Sequence, residues 1–383
     1  AFRMMEKMGA STVFDPAKIV MVADHFAPAK DARSADLQRQ LKEWSDRHGV
    51  TYYGQGRGGI EHTVLVEDGW IVPGSVIAGG DSHTCTYGAL GAFGSGLGST
   101  DIAACLVFGS FWQTVPATIE VTFTGSKRPF VTGKDLILAV IDAIGVGGGT
   151  NTVLEFVGPG AAALSIDERL AVANMAVEAG AETGLFPADE VTAAYLSGRT
   201  NRPWQPERSD PDASFARRVR IDLDGVPPLI AQPHSPGNVV PVAEAAGRKI
   251  DQVYIGNCAN GTITDLRQAA SILAGNRVHP DVRAIIVPAS QKVYRQALAE
   301  GLIDQFVAAG AIVSTPTCGA CFGGHMGVLA AGERAVATTN RNFKGRMGSS
   351  DAEVYLANAY VAAAAAVAGE IIEPSAVAEG VPA

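Results

Sequence analysis

Apolar residues in this chain come in short runs, and the spacing around each run changes from segment to segment. KIVMVADHFAP (18–28) begins apolar and turns polar, which predicts a buried strand over 18–23 leading into a loop. SADLQRQLKEWSDRHG (34–49) has the spacing of an amphipathic helix and ends on a glycine stop. SVIAGGDSHT (75–84) again reads as strand then loop. The strand TIEVTFTG (118–125) opens a second stretch that continues with helices at 133–144 and 165–180. Between 198 and 238 the pattern breaks. GRTNRPWQPERSDPDAS and DGVPPLIAQPHSPGN, rich in Pro, Gly and charge, flank one short strand, RVRIDL (218–223). Strand–loop–helix order then resumes in QVYIGNCANGTITDLRQAASILAG (252–275), AIIVPAS (284–290) with its helix, and AIVSTPTCGAC (311–321), before a closing helix over 351–369.

The alternation predicts an α/β fold in three units, 1–116, 117–220 and 221–383, without internal repeats. Polar groups just past strand C-termini are where such folds build their sites. With 383 residues, 47% hydrophobic and 18% charged, the chain is globular and long enough for several cores. A net charge of −9 argues against nucleic-acid and anionic-membrane partners, so an anionic substrate needs a local cluster of cations. The run VAAAAAVA (361–368) is too short to span a bilayer. No secretory signal opens the sequence, and neither does Met, so further residues are expected upstream.

Five cysteines, an odd number at low density, argue against a disulfide framework and for a reducing, cytoplasmic setting. Cys85 and Cys105 read as small buried side chains. Cys258, Cys318 and Cys321 differ, because all three lie in polar, glycine-rich loops. The stretch STPTCGACFGGH (314–325) alone admits a redox dithiol, but that leaves Cys258 unexplained. A zinc site with His325 as fourth ligand is a second reading, although zinc knuckles usually pair two closely spaced couples. Three thiolates without an obvious fourth also suit an iron–sulfur cluster with one iron left open.

Four motifs, IGNCANGTITDL, PTCGACFGGHMG, TTNRNFKGRMG and GGDSHTCTYGALGAFGSG, together resemble the aconitase family, in particular its two-chain branch, over nearly the whole chain. The resemblance implies three similar α/β/α domains around a central [4Fe–4S] cluster, with Cys258, Cys318 and Cys321 as its ligands and His325 as a neighbour only. It also implies roles for other polar residues that alone have plain structural readings. Asp24 and His25, otherwise a turn cap and a satisfied histidine, help protonate the departing hydroxyl; a carboxylate beside an imidazole makes a better acid near neutral pH. His62, Asp81 and His83 pair with site groups and water, and Ser82 hydrogen-bonds substrate. Adjacent Asp-Ser-His side chains cannot form a hydrolase relay. The glycine run after them lacks the dinucleotide-binding spacing. Asn174 and Glu178, four residues apart on one helix face, contact the cluster region and position water and substrate. Asn340 lies near the cluster, while Arg341 and Arg346 grip substrate carboxylates, as a guanidinium fork can.

By the same resemblance, the chain is the large subunit of a hydro-lyase that isomerises a 2-hydroxy di- or tricarboxylate by dehydration and rehydration. Isopropylmalate, in leucine biosynthesis, is the leading expectation, with homocitrate and methyl-substituted malates behind. The serine base that removes the carbon-bound proton is expected on a separate small, swivel-domain subunit. A non-catalytic iron–sulfur sensor that binds RNA is the alternative of another class, disfavoured by the acidic charge.

Overall fold

In the computed structural model, residues 1–378 are described; positions 379–383, at the end of the third expected unit, lie outside the described residues. The described residues build four sheets. The largest has seven strands in the order Val239–Pro241, Leu229–Ala231, Glu353–Ala357, Arg334–Ala337, Gln252–Gly256, Arg283–Val287 and Ile312–Val313. Its central pairs are parallel, while Leu229–Ala231 runs antiparallel to both of its neighbours. A four-stranded parallel sheet orders Thr183–Leu185, Thr152–Val157, Ala117–Thr124 and Arg217–Asp222. The N-terminal part carries only two parallel pairs, Val20–Val22 with Thr51–Tyr53 and Val76–Gly79 with Phe93–Gly96.

Local signals explain most helix limits. Ala32–His48 starts after Asp31, whose side chain accepts from Ser34 N–H, and stops at left-handed Gly49. Gly133–Ile144 and Ile263–Leu273 begin in capping boxes, Thr132 with Asp135 and Thr262 with Asp265. The first of these helices packs in a core shared by the four-stranded sheet and one face of the seven-stranded sheet, which includes Leu136, Ile137, Phe156, Tyr254 and Leu356. The other face of the large sheet is covered by the helices Ile263–Leu273, Gln291–Ala299, Leu302–Ala308 and Ala359–Ala368.

Four local expectations need correction. The predicted closing helix over 351–369 is a strand, Glu353–Ala357, followed by a helix, Ala359–Ala368. Val354 and Tyr355 favour a strand with neighbours on both sides, and Asn358 caps the true helix by accepting from Val361 N–H. The predicted helix over 165–180 is α-helical only to Asn174 and tightens to a 3₁₀ turn over Met175–Ala179, ending at left-handed Gly180. The strand expected to be buried at 18–23 is shorter, Val20–Val22, and half-buried, because it has a single strand partner. Cys85 is buried as expected, but Cys105 is only half-buried.

Candidate active site

The polar residues singled out in the sequence meet between the sheets, on two walls. Asp24 follows the strand Val20–Val22 and is buried. Its Oδ1 lies 2.8 Å from His25 Nδ1, and its Oδ2 accepts from Glu61 N–H at 2.9 Å. Its carbonyl accepts from Cys318 N–H at 3.2 Å and from the Thr317 hydroxyl at 3.1 Å, which ties the N-terminal part to the cysteine loop.

Asp81 caps the 3₁₀ turn Ser82–Leu90. Its Oδ1 accepts from His83 N–H at 2.7 Å and lies 3.2 Å from His62 Nε2 and 3.3 Å from His83 Nδ1. Its Oδ2 is 3.9 Å from His25 Nε2. His83 Nε2 continues to Glu178 Oε1 at 3.0 Å, and the same oxygen accepts from Arg341 Nε at 2.6 Å. A single chain of imidazole, carboxylate and guanidinium groups therefore runs from Asp24 to Arg341. Burial pulls the His25 ring down, but the hydrogen bond and charge of Asp24, with Asp81 and Glu61, outweigh it and raise the ring to about 9. Burial opposes the charge of Asp81, yet hydrogen bonds from His62 and His83 drive its carboxyl well below the ordinary range. His62 is likewise raised despite burial, by Glu61 and Asp81.

The second wall carries the thiols. Cys258 follows the strand Gln252–Gly256, Cys318 immediately precedes the short 3₁₀ turn Gly319–Phe322, and Cys321 lies within it. All three are free. Asn340 joins two of them: its Nδ2 donates to Cys258 Sγ at 3.3 Å, and its Oδ1 lies 3.4 Å from Cys321 Sγ. Asn174 Nδ2 also donates to Cys258 Sγ at 3.2 Å, and its Oδ1 accepts from Asn340 Nδ2 at 3.0 Å. Cys318 packs with Cys258 around Ile60 and Ala289. Two glycines make this approach possible. At Gly256 (φ +123°) a Cβ would fall 1.9 Å from the Val287 carbonyl oxygen, and at Gly319 (φ +54°) 2.3 Å from Tyr254 Oη.

The remaining expected residues lie at the margins. Ser82 is exposed next to Asp81. Arg346 is half-buried with its Nε unpartnered, and its carbonyl lies under the loop at Gly323. His325 makes only a backbone bond, its N–H donating to the Gly319 carbonyl, and burial lowers its ring. Sequence reading passed over Glu61, which lies 3.5 Å from His62 Nε2 and is raised by burial. Its one signal was its place beside His62 at the start of the buried helix Glu61–Glu67. No helix among the described residues is long and apolar enough to cross a membrane.

Residues 1–369 match the Aconitase family (aconitate hydratase). The chain is 80% identical to the "3-isopropylmalate dehydratase large subunit 2" of Rubrobacter xylanophilus, over 98% of this chain and 89% of that protein. It is 53% identical to the "3-isopropylmalate dehydratase large subunit" of Desulfitobacterium hafniense over the same shares. Among solved structures, that of Thermococcus kodakaraensis aconitase X aligns with a TM-score of 0.49 at 12% identity, covering 89% of this chain and 87% of that one. With the family match spanning nearly every residue and relatives this similar along the whole length, the chain belongs to the aconitase family and has its α/β fold.

Proposed function

We propose that this chain is the large subunit of a 3-isopropylmalate dehydratase, a hydro-lyase of leucine biosynthesis that holds a [4Fe–4S] cluster on Cys258, Cys318 and Cys321. The observation that carries the reading is the meeting of three free thiols with a carboxylate–imidazole chain across one cleft. The substrate follows the names of the relatives at 80% and 53% identity.

The donor set fits the cluster. Burial, with the charge of Cys321, pushes the Cys258 thiol far up; burial, with Asp24 and Cys258, does the same to Cys318. Such thiols become thiolates only beside a strong cation, and soft thiolates suit iron–sulfur clusters. The Asn174 and Asn340 amides supply the N–H···S bonds that such sulfurs accept. When bound, the cluster would supply one iron without a protein ligand, a Lewis acid for the substrate hydroxyl.

The side chains divide the remaining work. The raised His25 ring holds a proton at neutral pH for the departing hydroxyl, and Asp24 orients it. Arg341 is fixed through Nε by Glu178, leaving its terminal nitrogens to fork a substrate carboxylate. Arg346 takes the second carboxylate, and the exposed Ser82 hydroxyl hydrogen-bonds substrate. Asp81, His62 and His83 hold the water that returns to the alkene. The carbon-bound proton goes to a serine base on a small subunit, a partner in keeping with the relatives' designation as large subunits.

The test is to reconstitute the chain anaerobically with iron and sulfide, with and without the small subunit. Isopropylmalate, homocitrate and methyl-substituted malates are then compared as substrates. We expect broad visible absorption, and turnover of isopropylmalate only with the small subunit. A colourless zinc-binding product, or preference for another acid, overturns the corresponding part of the reading.

A further inference from the structure

The helix Gly133–Ile144 carries a lysine where its position disfavours one. Lys134 stands in the first turn, where the helix dipole repels cations, and it is fully buried. Lysine is almost never fully buried unless paired, yet Lys134 forms no salt bridge among the described residues. Its ammonium makes two contacts instead, to the Thr339 carbonyl at 2.8 Å and to Met175 Sδ at 3.1 Å.

Those two anchors are the chain neighbours of the site asparagines. Thr339 precedes Asn340, and Met175 follows Asn174. The asparagines bond to each other at 3.0 Å and donate to Cys258 Sγ at 3.3 and 3.2 Å. Lys134 thus grips, from behind, both segments that deliver N–H groups to one sulfur. One segment comes from the end of the helix Ile166–Asn174, the other from the loop after the strand Arg334–Ala337.

We propose that Lys134 is a positioning residue of the iron–sulfur site, clamping Asn174 and Asn340 against Cys258 and placing one buried positive charge behind the thiol wall. The inference rests on the cluster reading above. Burial draws the ammonium down to about 8, but Asp265, Cys258, Cys321 and Asp135 all act to keep it charged. Net charge and hydrogen bonds to the sulfurs both set the reduction potential of a cluster, so removing either must be visible without any assay of turnover.

The experiment compares reconstituted wild type with Lys134→Gln and Lys134→Met. Gln keeps a donor for the Thr339 carbonyl and loses the charge; Met loses both. We expect a more negative midpoint potential in both variants. Loss of the chromophore to a chelator should be several-fold faster in Lys134→Met than in Lys134→Gln. A wild-type potential in Lys134→Gln overturns the charge role, and equal chelator rates in all three proteins overturn the clamp. Should Lys134→Met not fold, Lys134→Gln alone decides: its potential tests the charge, and its chromophore lifetime against wild type tests whether a donor at 134 preserves the clamp. A wild type that takes up no iron and sulfide instead defeats the cluster reading itself.

Discussion

The two walls of the cleft follow opposite electrostatic plans. On one, carboxylates and imidazoles alternate: Asp24 with His25, then His62, Asp81, His83 and Glu178, closed by Arg341. The charges there have partners of the other sign within the wall, so no buried charge is left uncompensated. On the other wall, Cys258 and Cys321 meet neutral amides of Asn174, Asn257 and Asn340. Behind these stands a buried cation, Lys134. The proposed cluster would bring the second wall the positive charge that the first already holds in its own side chains.

The largest effect should come from breaking the thiol wall. Cys258→Ser is expected to abolish the visible absorption of the reconstituted protein and to reduce turnover to background. Cys85→Ser serves as the contrast. Cys85 is also buried, but its Sγ–H donates to the Asn174 carbonyl at 3.3 Å, a bond that a hydroxyl can keep. That variant should retain its chromophore and lose only about 1 kcal/mol of stability. Equal absorption in the two variants would overturn the assignment of Cys258 as a ligand, since both thiols are buried.

A smaller effect is expected from the proton wall. Asp81→Asn keeps the size of the side chain but removes the charge that His62 and His83 share. Turnover should fall by about 10²–10⁴-fold, the range for loss of positioned acid–base groups, while the absorption spectrum stays intact. An intact spectrum is the sharper half of the prediction, because it says that the walls fail independently. If the chromophore disappears as well, the division of labour drawn above is wrong.

The walls were unequally legible in the sequence. The cysteines stood out because thiols in polar, glycine-rich loops have no packing reason to be there, and the family motifs then ordered the rest. Asp24, His25, Asp81 and His83 lie just past strand ends, where α/β folds place such groups. Glu61 and Lys134 were not legible. A Glu in a helical first turn is ordinary, and a Lys between Gly133 and Asp135 reads as solvated. The burial of Lys134 comes from packing between segments distant in sequence, as with Thr339. The strand Glu353–Ala357 was hidden for a related reason. Its alanine-rich continuation looks helical, and only the neighbouring strands on both sides fix it as strand.

The smallest effect probes the seam that holds the walls at their distance. The helix Glu61–Glu67 leads from the proton wall, and the helix Gln291–Ala299 begins at Ser290, just past the strand Arg283–Val287 of the large sheet. They meet where Ile60 N–H donates to the Ala289 carbonyl at 2.8 Å and the Ser290 hydroxyl donates to Glu67 Oε1 at 2.9 Å. Burial raises Glu67 to about 7, against the pull of Ser290 and Lys292. With the folded value above the ordinary carboxyl value, the unfolded chain releases this proton first as pH rises. The stability that Glu67 confers is therefore full below pH 4.5, declines as pH rises towards 7 and is level above it. Glu67→Gln removes this dependence, because the amide stays neutral throughout. Thermal unfolding from pH 4.5 to 8 should fall less steeply in the variant, with a gain of about 1–2 °C at pH 8 and unchanged chromophore and turnover. Parallel pH profiles would mean that Glu67 is solvated at the seam. The backbone bond from Ile60 would then be the stronger tie between the walls.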